Sequence, residues 1–185
     1  LREFLDHLNP ASDIDRVLLL AAIVTPGWGG EPGTRPALAL IAQKRGAGKT
    51  ATATAIADLL WGGCITAKSG EEWQKVIGRL LGDGGLGSRC MLFDNVKGRQ
   101  DCAALDAILT SRTIDGWRPH LGQYPRPNHM TYYLTANYPK LSDDMATRAV
   151  IIRIGEPKHG ADFVGWSSRF IREHRPQLLA DIYAL

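Results

Sequence analysis

Residues 36–60 read Pro36-Ala-Leu-Ala-Leu-Ile-Ala42, then Gln43-Lys-Arg-Gly-Ala-Gly-Lys-Thr50, then Ala51-Thr-Ala-Thr-Ala-Ile-Ala-Asp-Leu-Leu60. The first piece is an apolar run of strand length, the second a glycine-bearing turn, the third an alanine-rich helical pattern. Gly46 and Gly48 carry no Cβ, so the backbone there can curl until successive N–H groups point at one anion. A helix opening at Lys49 adds free N–H groups and the positive end of its dipole. The stretch therefore predicts a phosphate site at the end of a buried strand.

That layout is similar to the phosphate-binding loop of nucleoside triphosphatases. Arg45, Gly46, Ala47, Gly48, Lys49, Thr50 and Ala51 are the candidate nucleotide contacts. Lys49 reaches the β- and γ-phosphates as a cation, and the Thr50 hydroxyl is a candidate magnesium ligand. The strict fingerprint has Gly seven places before its final Ser/Thr, where this chain has Gln43. The loop alone does not choose between adenylate and guanylate; the absence of an Asn-Lys-x-Asp motif disfavours a GTPase.

Further along, Cys90-Met-Leu-Phe-Asp94-Asn95 is an apolar run closed by an acid. Asp94 follows Lys49 by 45 residues, with a helix and a strand predicted between. In phosphate-loop proteins an acid so placed emerges beside the loop and holds magnesium, usually through water. Asn95 stands where many such ATPases carry Glu; an amide cannot accept a proton, so it can only orient water. Residues 129–136 are a predicted strand, and Asn137 at its exit is a candidate for the γ-phosphate or the attacking water. Residues 143–147 are expected to form a short helical turn capped by Ser142. Arg148 then enters a strand over 149–154, as a surface cation or as a cation donated across a subunit boundary.

Residues 111–128 change character. Arg112, Trp117, Arg118, His120, Tyr124 and Arg126 are interleaved with Pro and Gly, and Asp115 is the one acid. A basic, aromatic hairpin or loop suits a single-stranded backbone, with Arg112, Arg118, His120 and Arg126 as candidate DNA contacts. A solvated loop whose arginines pair with acids elsewhere is the bland alternative.

The rest of the chain is punctuated helix and strand. Apolar spacing predicts helices over 1–8 and from Ser12 or Asp13 to Thr25-Pro26. Trp28 is expected to pack on its own loop, over 27–33. A short strand over 64–66 and a helix over 71–81 capped by Ser69 follow. Gly82–Gly87 reads as a connector and 100–110 as a helix. Residues 162–174 and 176–185 are helical, with apolar stripes Phe163, Trp166, Phe170 and Leu178, Leu179, Ile182, Tyr183.

With 185 residues, 44% hydrophobic and 22% charged, the chain has the composition of one folded α/β domain, which excludes a disordered chain. A net charge of +3 permits a nucleic-acid partner without arguing for one. Cys64, Cys90 and Cys102 lack metal-ligand spacing and read as reduced thiols, from which a cytoplasmic setting is expected. No run approaches a membrane span. The first residue is not Met, so the chain is expected to be part of something longer.

Taken together, the pieces resemble an AAA+ ATPase module, and within that class the helicase-like replication proteins of phages, plasmids and integrated elements. The resemblance is carried by Arg-Gly-Ala-Gly-Lys-Thr at 45–50, Leu-Phe-Asp-Asn-Val-Lys at 92–97, Leu-Thr-Ala-Asn at 134–137 and Leu-Ser-Asp-Asp-Met-Ala-Thr-Arg at 141–148. It implies an α/β fold, a largely parallel sheet flanked by helices on both faces, and ATP and Mg²⁺ as cofactors. Residues 1–35 would be an N-terminal helical segment, 36–155 the sheet core and 156–185 C-terminal helices. It further implies that Asn137 senses the γ-phosphate and that Arg148 acts on a neighbour's ATP in a homo-oligomeric, hexameric ring. The 111–127 hairpin would then face DNA in the pore, the output being helicase or translocase activity in replication. A non-motor ATP switch that remodels replication proteins is the alternative.

Overall fold

The computed structural model describes residues 1–28, 30–43, 46–96, 105–118, 122–137, 147–156 and 162–185, with the side chains of Arg118, Asn137 and Phe163 outside that description. Five strands form the main sheet: β1 (Ala37–Ala42), β2 (Cys64–Lys68), β3 (Cys90–Asp94), β8 (Thr131–Asn137) and β9 (Ala149–Arg153). Their order is β2-β3-β8-β1-β9, and every neighbouring pair is parallel. Parallel strands need covering on both faces, which the sequence supplies as near-continuous apolar runs in β1, β3 and β8.

Alternation along the strands divides the core in two. Leu38, Leu40, Cys90, Leu92 and Tyr133 point to one face, beneath α1 (Arg2–His7), α2 (Asp13–Val24) and the C-terminal helix Phe163–Tyr183. Ala37, Ala39, Met91, Tyr132 and Leu134 point to the other, beneath α4 (Trp73–Leu81) and the helix over 105–110. Both buried tyrosines satisfy their hydroxyls: Tyr133 donates to the Ala22 carbonyl at 2.6 Å, and Tyr132 to Asn128 Oδ1 at 2.7 Å.

The helix after the loop begins as α3 (Lys49–Thr54) and continues as a π-helix, Ala55–Leu60, whose wider turn is seen in the Trp61 N–H bond to the Ile56 carbonyl. Ala53, Ala55 and Ala57 are fully or almost fully buried, so small side chains let this helix lie close on the sheet.

Several expectations need correction. Gly82–Gly87 contains a helical turn, α5 (Asp83–Leu86), folded so tightly on α4 that a Cβ on Gly85 would lie 2.1 Å from the Arg79 carbonyl oxygen. Helix α4 is preceded by Glu72 with no side-chain cap, and not by Ser69. The strand expected from His129 starts at Thr131. Pro176 does not divide the last helix, which runs unbroken from Phe163 to Tyr183 because Ile171, Leu178 and Ile182 bury on one surface on either side of it. Tyr183 leaves the expected stripe and is exposed. Trp28 lies against Gly30 in its own loop but is 76% exposed. The expected turn over 143–147 lies outside the described residues except for Thr147.

Candidate nucleotide and nucleic-acid sites

Register brings the sequence candidates to one edge. Ala42 at the end of β1 is opposite Asn137, and Phe93 of β3 is opposite Leu134. Asp94 and Thr135 therefore sit side by side, and both continue the face occupied by Leu92 and Tyr133, on which α3 lies. A slip of one residue in either strand would send one of them to the opposite face.

The loop is curled as its glycines allow: Gly46 has φ +79° and Gly48, which precedes α3, has φ +84°. Lys49 is 8% exposed, and burial pushes its ammonium below the ordinary value while the nearby Asp94 opposes that shift. Around them is a cleft of about 580 Å³ lined by residues 46–51, Asp94, Asn95, Thr135 and Ala136. That is the size of a small-molecule site.

One carboxylate oxygen organises the edge. Thr50 Oγ1 and Thr135 Oγ1 both donate to Asp94 Oδ1, each at 2.7 Å. Thr135 Oγ1 in turn accepts the Asn95 N–H at 2.8 Å, and the Val96 N–H bonds the Thr135 carbonyl at 2.9 Å. A hydroxyl that donates its proton to a carboxylate keeps its lone pairs for a cation, so Thr50 and Asp94 are arranged as a pair of hard oxygen donors. Asn95 has φ +57°, a left-handed conformation that Asn accepts more readily than most residues. Thr135 was not among the sequence candidates; its place two residues before Asn137 was the available signal.

The other candidates divide. Arg45 lies outside the described residues, as does the Asn137 side chain. Arg148 precedes Ala149, which is in register with Ala37, the first residue of β1, whereas the loop follows Ala42. Ala149, the neighbour of Arg148, is thus about 16 Å, five steps at ~3.3 Å per residue, from the end of β1 where its own chain's loop begins. Its guanidinium is ion-paired with Asp106.

Residues 113–118 and 122–127 pair antiparallel with each other as the two arms of a hairpin. β4 (Thr113–Ile114) pairs antiparallel with β7 (Arg126–Pro127), and β5 (Trp117–Arg118) with β6 (Gly122–Gln123). Its base rests on α4 through Gly116, where a Cβ would come within 2.3 Å of Ile77. Asn128 ties it down, donating to the Ile108 and Ser111 carbonyls at 2.9 Å. Arg112 and Trp117 are exposed. Arg126 is turned inward, donating to the Leu80 carbonyl at 2.9 Å and the Gly85 carbonyl at 2.7 Å, so its charge satisfies the ends of α4 and α5 and is withdrawn from the outer surface. The Arg118 side chain and His120 lie outside the described residues.

Cys64 and Cys90 are free thiols on neighbouring strands, and burial pushes the Cys64 thiol up to about 12. Among the described residues no helix is long and apolar enough to cross a membrane.

No family model matches the chain, and no curated protein matches it. Solved structures do. JCV helicase bound to N-(4-(2-(thiazolo[5,4-c]pyridin-2-yl)phenoxy)phenyl)acetamide is similar with a TM-score of 0.56 and 20% identity, over 94% of this chain and 49% of that one. The X-ray structure of JCV helicase gives 0.53 and 17%, over 97% and 48%. The apo A form of the NrS-1 C-terminal region gives 0.60 and 13%, over 94% and 42%. The chain spans about half the length of these proteins or less, and at such identities the likeness is one of fold: a mostly parallel α/β sheet with surrounding helices, similar to helicase structures.

Proposed function

We propose that this chain is the ATP-hydrolysing motor module of a DNA helicase or translocase that acts in the replication of a phage or mobile element. The observation that carries the reading is the convergence of Lys49, Thr50 and Asp94 in one cleft at the carboxyl ends of β1 and β3. The residues fit Mg-ATP: a glycine-curled loop for the phosphates, a buried ammonium, and two oxygen donors beside it. Magnesium, when bound, supplies positive charge to the β- and γ-phosphate oxygens. In this scheme the loop N–H groups and Lys49 would bind the triphosphate, and Thr50 and Asp94 would hold the metal. Asn137 and Asn95 orient the attacking water. The strand's length between Arg148 and its own loop supports its use on a neighbour's triphosphate, in a head-to-tail ring that by resemblance has six subunits. Likeness of fold to JCV helicase and the exposed Arg112 and Trp117 on a hairpin support single-stranded DNA as the partner.

The test is ATP turnover with and without single-stranded DNA for the parent, Lys49→Ala and Arg148→Ala. Lys49→Ala abolishes turnover, and Arg148→Ala does so at concentrations where the ring assembles. Turnover in Lys49→Ala equal to the parent's overturns the reading. Parent turnover that ignores DNA favours a non-motor ATP switch.

A further inference from the structure

The Arg148–Asp106 ion pair joins two elements far apart in sequence, and neither residue lies at its own chain's nucleotide cleft. Asp106 is set on a firm base. Leu105, Ile108 and Leu109 of the helix over 105–110 are buried in the sheet's second core. The Ile108 carbonyl accepts from the Asn128 amide, and the Leu109 carbonyl from the Arg35 N–H at 2.9 Å. Arg148 by contrast is a long side chain, 36% exposed, immediately before an edge strand. The carboxylate is itself unevenly satisfied: Oδ2 meets Arg148, while Oδ1 is buried with no hydrogen-bond partner among the described residues. A carboxylate half-buried in that way is costly without a cation beside it, and among the described residues Arg148 is the cation paired with it.

We propose that Asp106 is a positioning residue for Arg148, fixing the guanidinium in the orientation in which it is offered to the neighbouring subunit's triphosphate. The inference rests on the inter-subunit reading given above and adds to it the residue that aims the arginine. A free arginine samples many rotamers about its side-chain bonds; one leg of the guanidinium fork held by a fixed carboxylate leaves the remaining N–H groups pre-oriented. The phosphate-facing donors then need no ordering when the neighbour binds nucleotide.

The test compares the assembled parent with Asp106→Asn, Asp106→Glu, Arg148→Ala and the double variant Asp106→Asn/Arg148→Ala, each checked for ring assembly by sedimentation. Asp106→Asn is expected to lower kcat by about 10–100-fold, the cost of a misplaced group, while KM for ATP stays within about twofold. Asp106→Glu restores most of the loss, and the double variant is no slower than Arg148→Ala alone. A second readout needs no nucleotide: exchange of the Arg148 guanidinium protons with water, followed by NMR, is slower in the parent than in Asp106→Asn. Parent kcat in Asp106→Asn together with loss in Arg148→Ala overturns the role of Asp106 and leaves the inter-subunit reading standing. A rise in kcat in Asp106→Asn also overturns it, because the pair would then be withholding the arginine. Parent kcat in both Asp106→Asn and Arg148→Ala removes the inter-subunit reading and the inference with it. If Asp106→Asn fails to assemble, unchanged guanidinium exchange in its folded protomer overturns the inference, and faster exchange supports it.

Discussion

Thr135 donates its hydroxyl proton to Asp94 across the β8–β3 boundary at 2.7 Å, and the same oxygen receives the Asn95 N–H. One buried hydroxyl therefore fixes both the acid and the residue after it. Thr135→Val keeps the shape and removes the donor and the acceptor together, leaving the Asn95 N–H without its partner. The expected cost is about 1–3 kcal/mol in chemical denaturation. Magnesium-dependent nucleotide affinity should fall about 10–100-fold, as for other losses of a group that orients a metal ligand. Thr135→Ser should recover most of both. Unchanged magnesium dependence in Thr135→Val would show that Asp94 needs no such support.

Asn95 tests backbone and side chain separately. At φ +57° a glycine is unstrained, whereas an alanine costs about 1 kcal/mol. Asn95→Gly is expected to unfold within ~0.5 kcal/mol of the parent and Asn95→Ala to be less stable. If the amide orients water, both lose turnover while nucleotide affinity is retained. Equal turnover in all three would remove that role.

Arg126 and Arg112 stand on the same hairpin and are expected to behave oppositely. Arg126→Ala leaves the Leu80 and Gly85 carbonyls without their charged donor, so thermal unfolding should report a loss of about 2–3 kcal/mol. Arg112→Ala should leave stability within ~0.5 kcal/mol, and should reduce the slope of log affinity for single-stranded DNA against log salt by about 0.7. A changed salt slope in Arg126→Ala at parental stability would return Arg126 to the DNA-facing surface.

Glu71 gives a pH signature away from the cleft. Its carboxylate accepts from Arg79 Nη2 at 3.0 Å and from the Lys68 N–H at 3.1 Å, and these partners, Arg79 foremost, hold it down to about 2 from an ordinary 4.5. Because the folded value lies below the unfolded one, the ionised carboxylate stabilises the fold. That contribution is complete above pH 4.5 and is lost as the pH falls toward 2. In a pair whose Arg79 partner is exposed to solvent it is ~0.5 kcal/mol, so Glu71→Gln should be slightly less stable than the parent at pH 7 and should match it near pH 2. A gap that persists at pH 2 would mean the residue acts through packing.

The sheet and its loop were legible because apolar runs of strand length and a glycine-bearing turn are local signals, and the parallel order follows from helices lying between strands. Contacts that depend on register were not. Nothing local tells Thr135 that it will neighbour Asp94; that requires knowing that β8 inserts between β3 and β1. Arg126 looked like its basic neighbours until the ends of α4 and α5 met beside it. Asp106, one acid on a predicted helix, becomes notable only once the start of β9 lies against it. Pro176 misled because the rule for its ring is local, whereas the surface holding the helix together is shared by both halves.

The π-helical segment Ala55–Leu60 lets one helix keep two appointments. Its first half is phased by the loop, which sets where Lys49 and Thr50 face. Its second half is phased by distant partners: Arg175 Nε donates to the Leu60 carbonyl at 2.8 Å, and the Trp61 indole to the Ile23 carbonyl at 2.7 Å. Forcing the six residues 55–60 into ordinary α-helical pitch without shortening the segment would rotate one half against the other by roughly 100°, a single α-helical step. The chain would then have to give up either the cleft or the docking of its last helix.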